Sequence, residues 1–301
     1  MSFLEQLRSL FPELSLREGV RLDAYTTLRV GGPADLFAEP EDEDQLRCLL
    51  SIAREAGLPL LVMGNGSNLL VRDGGFRGLV IRLGKAFGKI DCRGTEITAR
   101  SGALMSALSR AARDARLTGL EFAQGIPGTV GGAVYMNAGA YGGEVGKLIR
   151  SVRVLDGEKI REVPGEEMAF GYRHSRAMEE KWIVLSAVFS LEPGDVAEID
   201  AAMRDFAARR KEKQPLEYPS AGSFFKRPEG YFAGRLIEDA GLKGLQKGGA
   251  QVSEKHAGFL INRGGATAAD FLKLMQAVQT AVKERSGVDL VPEVRIVGED
   301  A

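Results

Sequence analysis

The sequence predicts an α+β fold that is divided into subdomains. Strand-like and helix-like segments alternate along the chain without an internal repeat, and two glycine-rich loops lie between them. A helical pattern ends just before Pro215, which is a typical position for a domain boundary. The 301 residues, 44% of them hydrophobic, are sufficient for two or three domains that each have a core.

The first predicted element is an amphipathic helix near the N-terminus. Apolar residues recur there at helical spacing from Phe3 to Phe11, but Glu5 and Arg8 interrupt them. The segment therefore differs from the apolar core of a signal peptide. Nothing in the chain approaches the roughly 20 apolar residues of a transmembrane helix, so neither secretion nor membrane insertion is expected.

A small α/β unit is predicted in residues 26–83. A short strand at 35–38 precedes a helix with its apolar stripe at Leu46, Leu49, Leu50 and Ala53. The apolar segments 58–63 and 69–71 are predicted strands, with the first glycine loop between them.

The middle and the C-terminal part continue this alternation. Asp156-Gly157 between two extended runs predicts a hairpin. The other predicted elements are strands at 97–100, 182–191, 250–252, 259–262 and 290–297, and helices at 104–115, 196–213, 232–240 and 268–284.

Both glycine loops are suited to presenting backbone N–H groups to an anion. Glycine permits a close approach of the main chain and positive φ angles, so consecutive N–H groups can surround a pyrophosphate. The first loop lacks the Gly-Lys-Ser/Thr ending of a Walker loop, and no helix follows it as a Rossmann fingerprint requires. The alternative is that both loops are simple turns.

Composition excludes several classes of function. Forty basic and 41 acidic residues leave a net charge of -1. The chain therefore lacks the excess positive charge that is typical of proteins that bind nucleic acid or an anionic membrane. Cys48 and Cys92 form no Cys-x-x-Cys motif, so neither a disulfide framework nor a metal site is expected. A reducing cytoplasm fits best.

The candidate catalytic residues do not form a histidine-based triad, because His174 and His256 are the only histidines. Arg173, Ser223 and Glu293 are polar residues that each follow a glycine or proline by one or two positions. Each has an alternative: Arg173 as a surface ion-pair partner, Ser223 as a turn residue, and Glu293 as an outward-facing strand residue.

A set of motifs covers nearly the whole chain. The motifs are Thr26-Thr-Leu-Arg-Val-Gly-Gly-Pro-Ala, Gly64-Asn-Gly-Ser-Asn-Leu-Leu, Gly125-Ile-Pro-Gly-Thr-Val-Gly-Gly-Ala, Asn137-Ala-Gly-Ala-Tyr-Gly, Tyr172-Arg-His-Ser, Gly222-Ser-Phe-Phe-Lys and Pro292-Glu-Val-Arg. Any one motif is weak evidence, but the series in this order is specific, and it resembles the UDP-N-acetylenolpyruvoylglucosamine reductase family.

The resemblance implies a fold, a cofactor and a reaction. Residues 1–83 and 84–205 would be the two subdomains of an FAD-binding fold of the vanillyl-alcohol-oxidase type, and residues 206–301 a smaller α+β substrate domain. The implied reaction uses NADPH and FAD to reduce the enolpyruvyl ether of a nucleotide sugar during peptidoglycan precursor synthesis. A monomer is implied.

Site residues follow from the matching motifs. Ser223 would be the proton donor, while Arg173 and Glu293 would stabilise the reduced intermediate. Those implied to contact FAD are Gly64, Asn65, Gly66, Ser67 and Asn68 on the pyrophosphate, and Gly125, Ile126, Pro127, Gly128, Gly132, Asn137 and Gly139 on the flavin and ribityl side. Lys213, Lys226 and Gln251 would contact the substrate.

Two features match the shorter subtype of this family. Only six residues separate Ser175 from Trp182, which leaves no room for the substrate-covering insertion of the longer subtype. Arg227 stands where the longer form commonly has asparagine, and an arginine there can grip a phosphate bidentately.

Two other functions remain open from the residues alone. An FAD-linked oxidase or dehydrogenase acting on a hydroxy acid or alcohol would share the N-terminal loops. A flavin-binding regulatory or storage module would bind FAD without turnover. The sequence also carries no separate Rossmann unit that would select NADPH over NADH.

Overall fold

A computed structural model describes residues 14–301, and the predicted N-terminal helix lies outside the described residues. The helices are α1 (Glu43–Glu55), α2 (Met105–Asp114), α3 (Val130–Tyr135), α4 (Arg176–Glu179), α5 (Val196–Lys213), α6 (Ala233–Asp239) and α7 (Ala268–Ser286). The strands of the first half are β1 (Ser15–Arg21), β2 (Pro33–Glu39), β3 (Leu60–Met63), β4 (Leu69–Val71), β5 (Phe76–Arg82), β6 (Ile90–Arg93), β7 (Glu96–Arg100), β8 (Leu117–Thr118), β9 (Gly139–Ala140) and β10 (Gly143–Glu144). Those of the second half are β11 (Ile149–Asp156), β12 (Lys159–Pro164), β13 (Ile183–Ser190), β14 (Glu192–Pro193), β15 (Ser220–Ser223), β16 (Gln246–Lys247), β17 (Ala250–Val252), β18 (Phe259–Asn262) and β19 (Arg295–Val297).

The chain forms two compact units. The first contains residues 37–65 and 79–209 together with the described residues up to 17, and the second contains residues 18–36, 66–78 and 210–301. The predicted division into 1–83, 84–205 and 206–301 stays a prediction. Mixed helix and strand content confirms the α+β class.

The main sheet of the first unit has the strand order β12-β11-β13-β7-β6, and each neighbouring pair is antiparallel. The predicted hairpin joins β11 to β12, with Asp156 opposite Lys159. Leu108 of α2, Val154 of β11 and Phe189 of β13 are fully buried members of one apolar cluster. The alternating inward residues of the strands thus pack against a helix, as a half-buried sheet requires.

A second sheet has the order β1-β2-β5-β3. Strand β3 pairs in parallel with residues 79–82 of β5. Helix α1 precedes β3, and its N-terminus is capped by Asp42, whose carboxylate accepts a 2.8 Å hydrogen bond from the Gln45 N–H. Leu46 and Leu49 are fully buried, so the predicted apolar stripe is the packed face.

The second unit is built on the antiparallel sheet β15-β18-β17-β16 and on α7. Phe271 of α7 stacks on Phe224, with ring centroids 6.2 Å apart. A capping box of Thr267 and Asp270 starts α7, and Asp73 accepts hydrogen bonds of 2.8 Å from the N–H groups of Ala268 and Ala269. These acceptors satisfy backbone donors that a helix leaves unpaired at its N-terminus.

Two elements differ from the predictions. The strand predicted at 290–297 begins only at Arg295, because the segment changes partners: Pro292 forms an isolated antiparallel bridge with Phe225, whereas residues 295–297 pair with β4. The second glycine loop leads into the short helix α3, which its glycines disfavour intrinsically. Close packing accounts for α3: a Cβ on Gly131 would lie 2.8 Å from the Cβ of Ser101. Within residues 14–301, no helix has the length and apolarity needed to cross a membrane.

Candidate functional site

Residues 64 and 65 of the first glycine loop contact the second loop within the first unit. The Asn65 side chain donates a 2.7 Å hydrogen bond to the carbonyl of Pro127, which lies in the second loop. A Cβ on Gly64 would lie 2.2 Å from the Oγ1 of Thr129. Gly64 therefore permits an approach that any other residue would block, and the sequence motif at this position has a packing reason.

The first loop presents backbone donors. Gly66 has a φ of 59°, and its carbonyl accepts a 3.3 Å hydrogen bond from the N–H of Thr27. Among residues 14–301, no hydrogen bond was found from the N–H groups of Asn65, Gly66 or Ser67. Such a run of N–H groups around a positive-φ residue is the arrangement that binds an anion.

The second loop carries a polar atom that the sequence analysis did not select. The side-chain oxygen of Gln124, next to Gly125, is buried without a hydrogen-bond partner in the described part of the chain. Leaving a buried amide oxygen unpaired costs about 1–3 kcal/mol. The site is therefore suited to a ligand with a hydrogen-bond donor, and the position of Gln124 directly before the glycine motif was the available signal.

Asn137 lies deeper than the other predicted cofactor residues. Its side chain is 1% exposed, and its amide group donates to the Glu144 carboxylate (2.8 Å) and to the Gly171 carbonyl (2.9 Å). Its oxygen accepts from the Gly146 N–H at 2.8 Å. Gly139 pairs with Glu144 in the β9–β10 hairpin. A role for Asn137 and Gly139 beside the flavin stays a prediction.

Arg173 lies in a tight turn of the first unit. Gly171 and His174 exchange two backbone hydrogen bonds, and Arg173 between them has a φ of 54°. The guanidinium lies over the ring of Tyr172, at 5.0 Å from its centroid. The turn thus gives Arg173 an unusual backbone conformation, which often marks a functional site.

Ser223 and Glu293 lie next to the same backbone segment of the second unit. The N–H of Glu293 donates a 2.9 Å hydrogen bond to the carbonyl of Phe224, the neighbour of Ser223. Asn68 of the first loop donates from its side chain to the carbonyl of Glu293 at 3.1 Å. Ser223 is exposed at the end of β15, and Glu293 is half-buried before β19.

The predicted substrate residues are spread over the second unit. Lys226 follows the same segment, and its N–H donates to the carbonyl of Val291 at 2.8 Å. Lys213 is exposed at the end of α5, and Gln251 on β17 donates to the Gly244 carbonyl at 3.2 Å. The Arg227 guanidinium lies 4.3 Å from the ring centroid of Phe232, which is 61% exposed.

His256 supports the strand end that carries Ser223. Its Nδ1 accepts a 3.1 Å hydrogen bond from the N–H of Gly258, whose carbonyl in turn accepts from the N–H of Phe224. Burial of the ring lowers the pKa of His256 below its ordinary value. A neutral imidazole accepting a backbone hydrogen bond has a structural role here.

Comparison with known proteins decides the family. Residues 214–297 match the model of the UDP-N-acetylenolpyruvoylglucosamine reductase C-terminal domain, and residues 34–159 match an FAD binding domain. The reductase of Clostridium novyi is 49% identical over 298 residues, which are 99% of this chain and 97% of the relative. The chain belongs to the UDP-N-acetylenolpyruvoylglucosamine reductase family. The family member of Clostridium beijerinckii is 50% identical over 305 residues, covering 100% of both chains.

A solved structure of the same family agrees. The UDP-N-acetylenolpyruvylglucosamine reductase of Thermus caldophilus superposes with a TM-score of 0.82 at 37% identity, covering 95% of this chain and 99% of that one. The resemblance inferred from the motifs and the expected FAD-binding domain are therefore confirmed. The unpaired oxygen of Gln124 and the N–H groups of residues 65–67 fit FAD, which has both hydrogen-bond donors and a pyrophosphate.

Proposed function

We propose that this member of the reductase family uses NADPH to reduce UDP-N-acetylglucosamine enolpyruvate to UDP-N-acetylmuramate in peptidoglycan precursor synthesis. The observation that carries the proposal is the near 50% identity to reductases of this name over essentially the whole chain. The FAD-linked oxidase that shares the flavin fold has no reason to carry the Arg173, Ser223 and Glu293 motifs.

FAD supplies hydride transfer, from NADPH and then to the enolpyruvyl double bond. The N–H groups of residues 64–68 would hold its pyrophosphate, and residues 125–132 with Asn137 and Gly139 would line its flavin and ribityl side. The close contact of Gly64 with Thr129 and the bond from Asn65 to Pro127 keep the two loops together. The protein would thus orient the cofactor and provide the electrostatic environment of the reaction.

Arg173 binds the carboxylate of the enolpyruvyl group. Hydride addition to the terminal vinyl carbon places negative charge on the adjacent carbon and its carboxylate. A guanidinium is always ionised and binds a carboxylate through two parallel hydrogen bonds, so it stabilises this charge. Glu293 shares a proton with the enol form.

Ser223 then delivers the proton to the carbon. Its hydroxyl is exposed at a strand end, where a substrate can reach it. Phe224 and Glu293 are hydrogen-bonded through their backbones, which fixes the segment that carries the hydroxyl. A proton donor held in position is typically worth about 10²–10⁴-fold in rate.

The nucleotide end of the substrate is held by basic and amide side chains of the second unit. Lys213, Lys226 and Gln251 contact the diphosphate or the enolpyruvate. Arg227 binds two oxygens of a phosphate through parallel hydrogen bonds. We further propose that the protein acts in the cytoplasm and as a monomer.

Turnover of the purified protein tests this function. With FAD bound, NADPH oxidation is expected to require UDP-N-acetylglucosamine enolpyruvate, and mass spectrometry should show a product that has gained two hydrogens. A hydroxy acid or alcohol under air serves as the comparison substrate. Oxygen consumption with that substrate, and no reduction of the enolpyruvyl ether, would replace the reductase with an oxidase.

A further inference from the structure

The turn that carries Arg173 is attached at both ends to one short segment of the first unit. The carbonyl of Gly171 accepts the amide hydrogen bond of Asn137 at 2.9 Å. On the other side, the buried hydroxyl of Ser175 donates to the carbonyl of Tyr135 at 2.7 Å. Residues 135–137 follow the second glycine loop directly, at the end of α3.

Asn137 is itself fixed in place. Both hydrogens of its amide are used by Glu144 and Gly171, and its oxygen accepts from the Gly146 N–H. With 1% exposure and a φ of 44°, the residue is held in a conformation that asparagine tolerates better than most residues. Its side chain therefore acts as a rigid connection and not as a flexible surface group.

The turn needs such a connection. Arg173 has a φ of 54°, a left-handed conformation that is unfavourable for a long side chain. A residue in this conformation persists only where its surroundings enforce it. The bond from Asn137 to Gly171 and the bond from Ser175 to Tyr135 supply that constraint.

We propose that Asn137 is a positioning residue for Arg173, acting through the Gly171 carbonyl, so that the segment after the second glycine loop sets the direction of the guanidinium. The inference rests on the proposed function, in which Arg173 binds the substrate carboxylate. The amide of Asn137 uses both its hydrogens and its oxygen in bonds within the protein, so its effect on Arg173 passes through the Gly171 carbonyl. Its amide transmits the position of the glycine loop to the arginine turn.

A double-mutant cycle in the two half-reactions tests this role. Asn137→Asp keeps the size, the acceptor for Gly146 and a tolerance of positive φ, but it removes the donor to Gly171 and to Glu144. Reoxidation of reduced enzyme by the enolpyruvyl substrate is expected to slow about tenfold or more, as for a lost hydrogen bond between two aligned groups. Reduction of the FAD-loaded variant by NADPH should slow less than reoxidation, because Arg173 binds only the substrate.

The cycle is completed with Arg173→Lys and with the double variant. Because Asn137 acts through Arg173, adding Asn137→Asp to Arg173→Lys should slow reoxidation little further. Glu144→Gln is the matched control: it keeps an oxygen acceptor for Asn137 and leaves the Gly171 bond untouched, so its rates should equal those of the wild type.

Two results would overturn the positioning role: additive effects in the double variant, and wild-type reoxidation by Asn137→Asp. If Asn137→Asp does not fold, Asn137→Gly removes the bonds to Gly171 and Glu144, and also the one from Gly146, with a backbone suited to positive φ. Normal reoxidation by Arg173→Lys would instead contradict the proposed function, which separates that failure from failure of the inference alone.

Discussion

The side chain of Asn68 donates a 3.1 Å hydrogen bond to the backbone carbonyl of Glu293. The N–H of the same Glu293 donates to the carbonyl of Phe224, next to Ser223. Asn68, a residue of the predicted FAD-binding loop, therefore helps to hold the backbone of Glu293, whose carboxylate is proposed to be catalytic.

We expect Asn68→Asp to impair the substrate half-reaction, because a carboxylate cannot donate to the Glu293 carbonyl. Loss of one hydrogen bond, worth about 0.5–1.5 kcal/mol, corresponds to a rate decrease of roughly two- to tenfold. Stopped-flow reoxidation of reduced enzyme by the enolpyruvyl substrate measures this decrease. An Asn68→Asp protein that loses FAD but reoxidises normally once reconstituted would show that Asn68 serves the cofactor alone.

Ser223→Ala should lose reduction of the enolpyruvyl substrate by about 10²–10⁴-fold or more, since the proton donor is removed. Reduction of FAD by NADPH should survive. Ser220→Ala, at the other end of β15, is the matched control and should retain both half-reactions. Equal loss of both half-reactions in Ser223→Ala would remove the serine from the donor role.

Gly66→Val should weaken FAD binding. A Cβ at this positive-φ position obstructs the approach of a pyrophosphate and strains the loop. Gly94→Val introduces the same side chain at a nearly equal φ of 58° with no neighbouring atoms within 4 Å, so it controls for backbone strain. The ratio of flavin to protein absorbance reports the result, and full flavin content in Gly66→Val would contradict the placement of this loop.

The lowered pKa of His256 predicts that the free energy of unfolding depends on pH. Burial of the ring and the positive charge of Lys243 lower its pKa below 6.5, although Glu238 and a backbone hydrogen bond oppose the shift. The unfolded chain then binds a proton more readily than the folded one. The stabilisation is fully present above pH 6.5 and is lost as the pH falls through the lower pKa of the folded protein.

His256→Gln should remove this part of the pH dependence. Urea unfolding of both proteins at a series of pH values below 6.5 gives the two free energies of unfolding. We expect the wild type to lose more stability than His256→Gln over that range. Parallel curves would mean that the folded protein takes up a proton on His256 as easily as the unfolded chain does.

Much of the fold was predictable from local signals. Asp156-Gly157 marks the β11–β12 hairpin, and the strands at 250–252 and 259–262 have the predicted bounds. Helix α7 extends two residues beyond its prediction, to Ser286. These elements carry their own turn residues, caps or apolar periodicity, so local sequence was sufficient.

Other elements depend on distant contacts and left no local pattern. Helix α3 forms in a glycine-rich segment because that segment packs closely against Ser101. The buried bonds of Asn137 join it to Gly171, 34 positions away. The motif predicted a functional asparagine but not this connection, since side-chain pairing across such a separation depends on tertiary structure.

The site was predictable as a set of residues but not as an arrangement. Ser223 and Glu293 were selected from separate motifs, and their connection through Phe224 became visible only in the structure. Gln124 was missed because a glutamine has no distinctive chemistry in a sequence. Its significance lies in a buried oxygen without a partner among residues 14–301.

The central claim is that one bound FAD carries electrons from NADPH to the enolpyruvyl ether. Anaerobic absorbance spectroscopy of the purified, FAD-loaded protein tests it most directly, with NADPH added first and UDP-N-acetylglucosamine enolpyruvate second. We predict that the oxidised-flavin spectrum bleaches with NADPH and returns when the nucleotide sugar is added. A bleached spectrum that returns only when oxygen is admitted would contradict the reductase function.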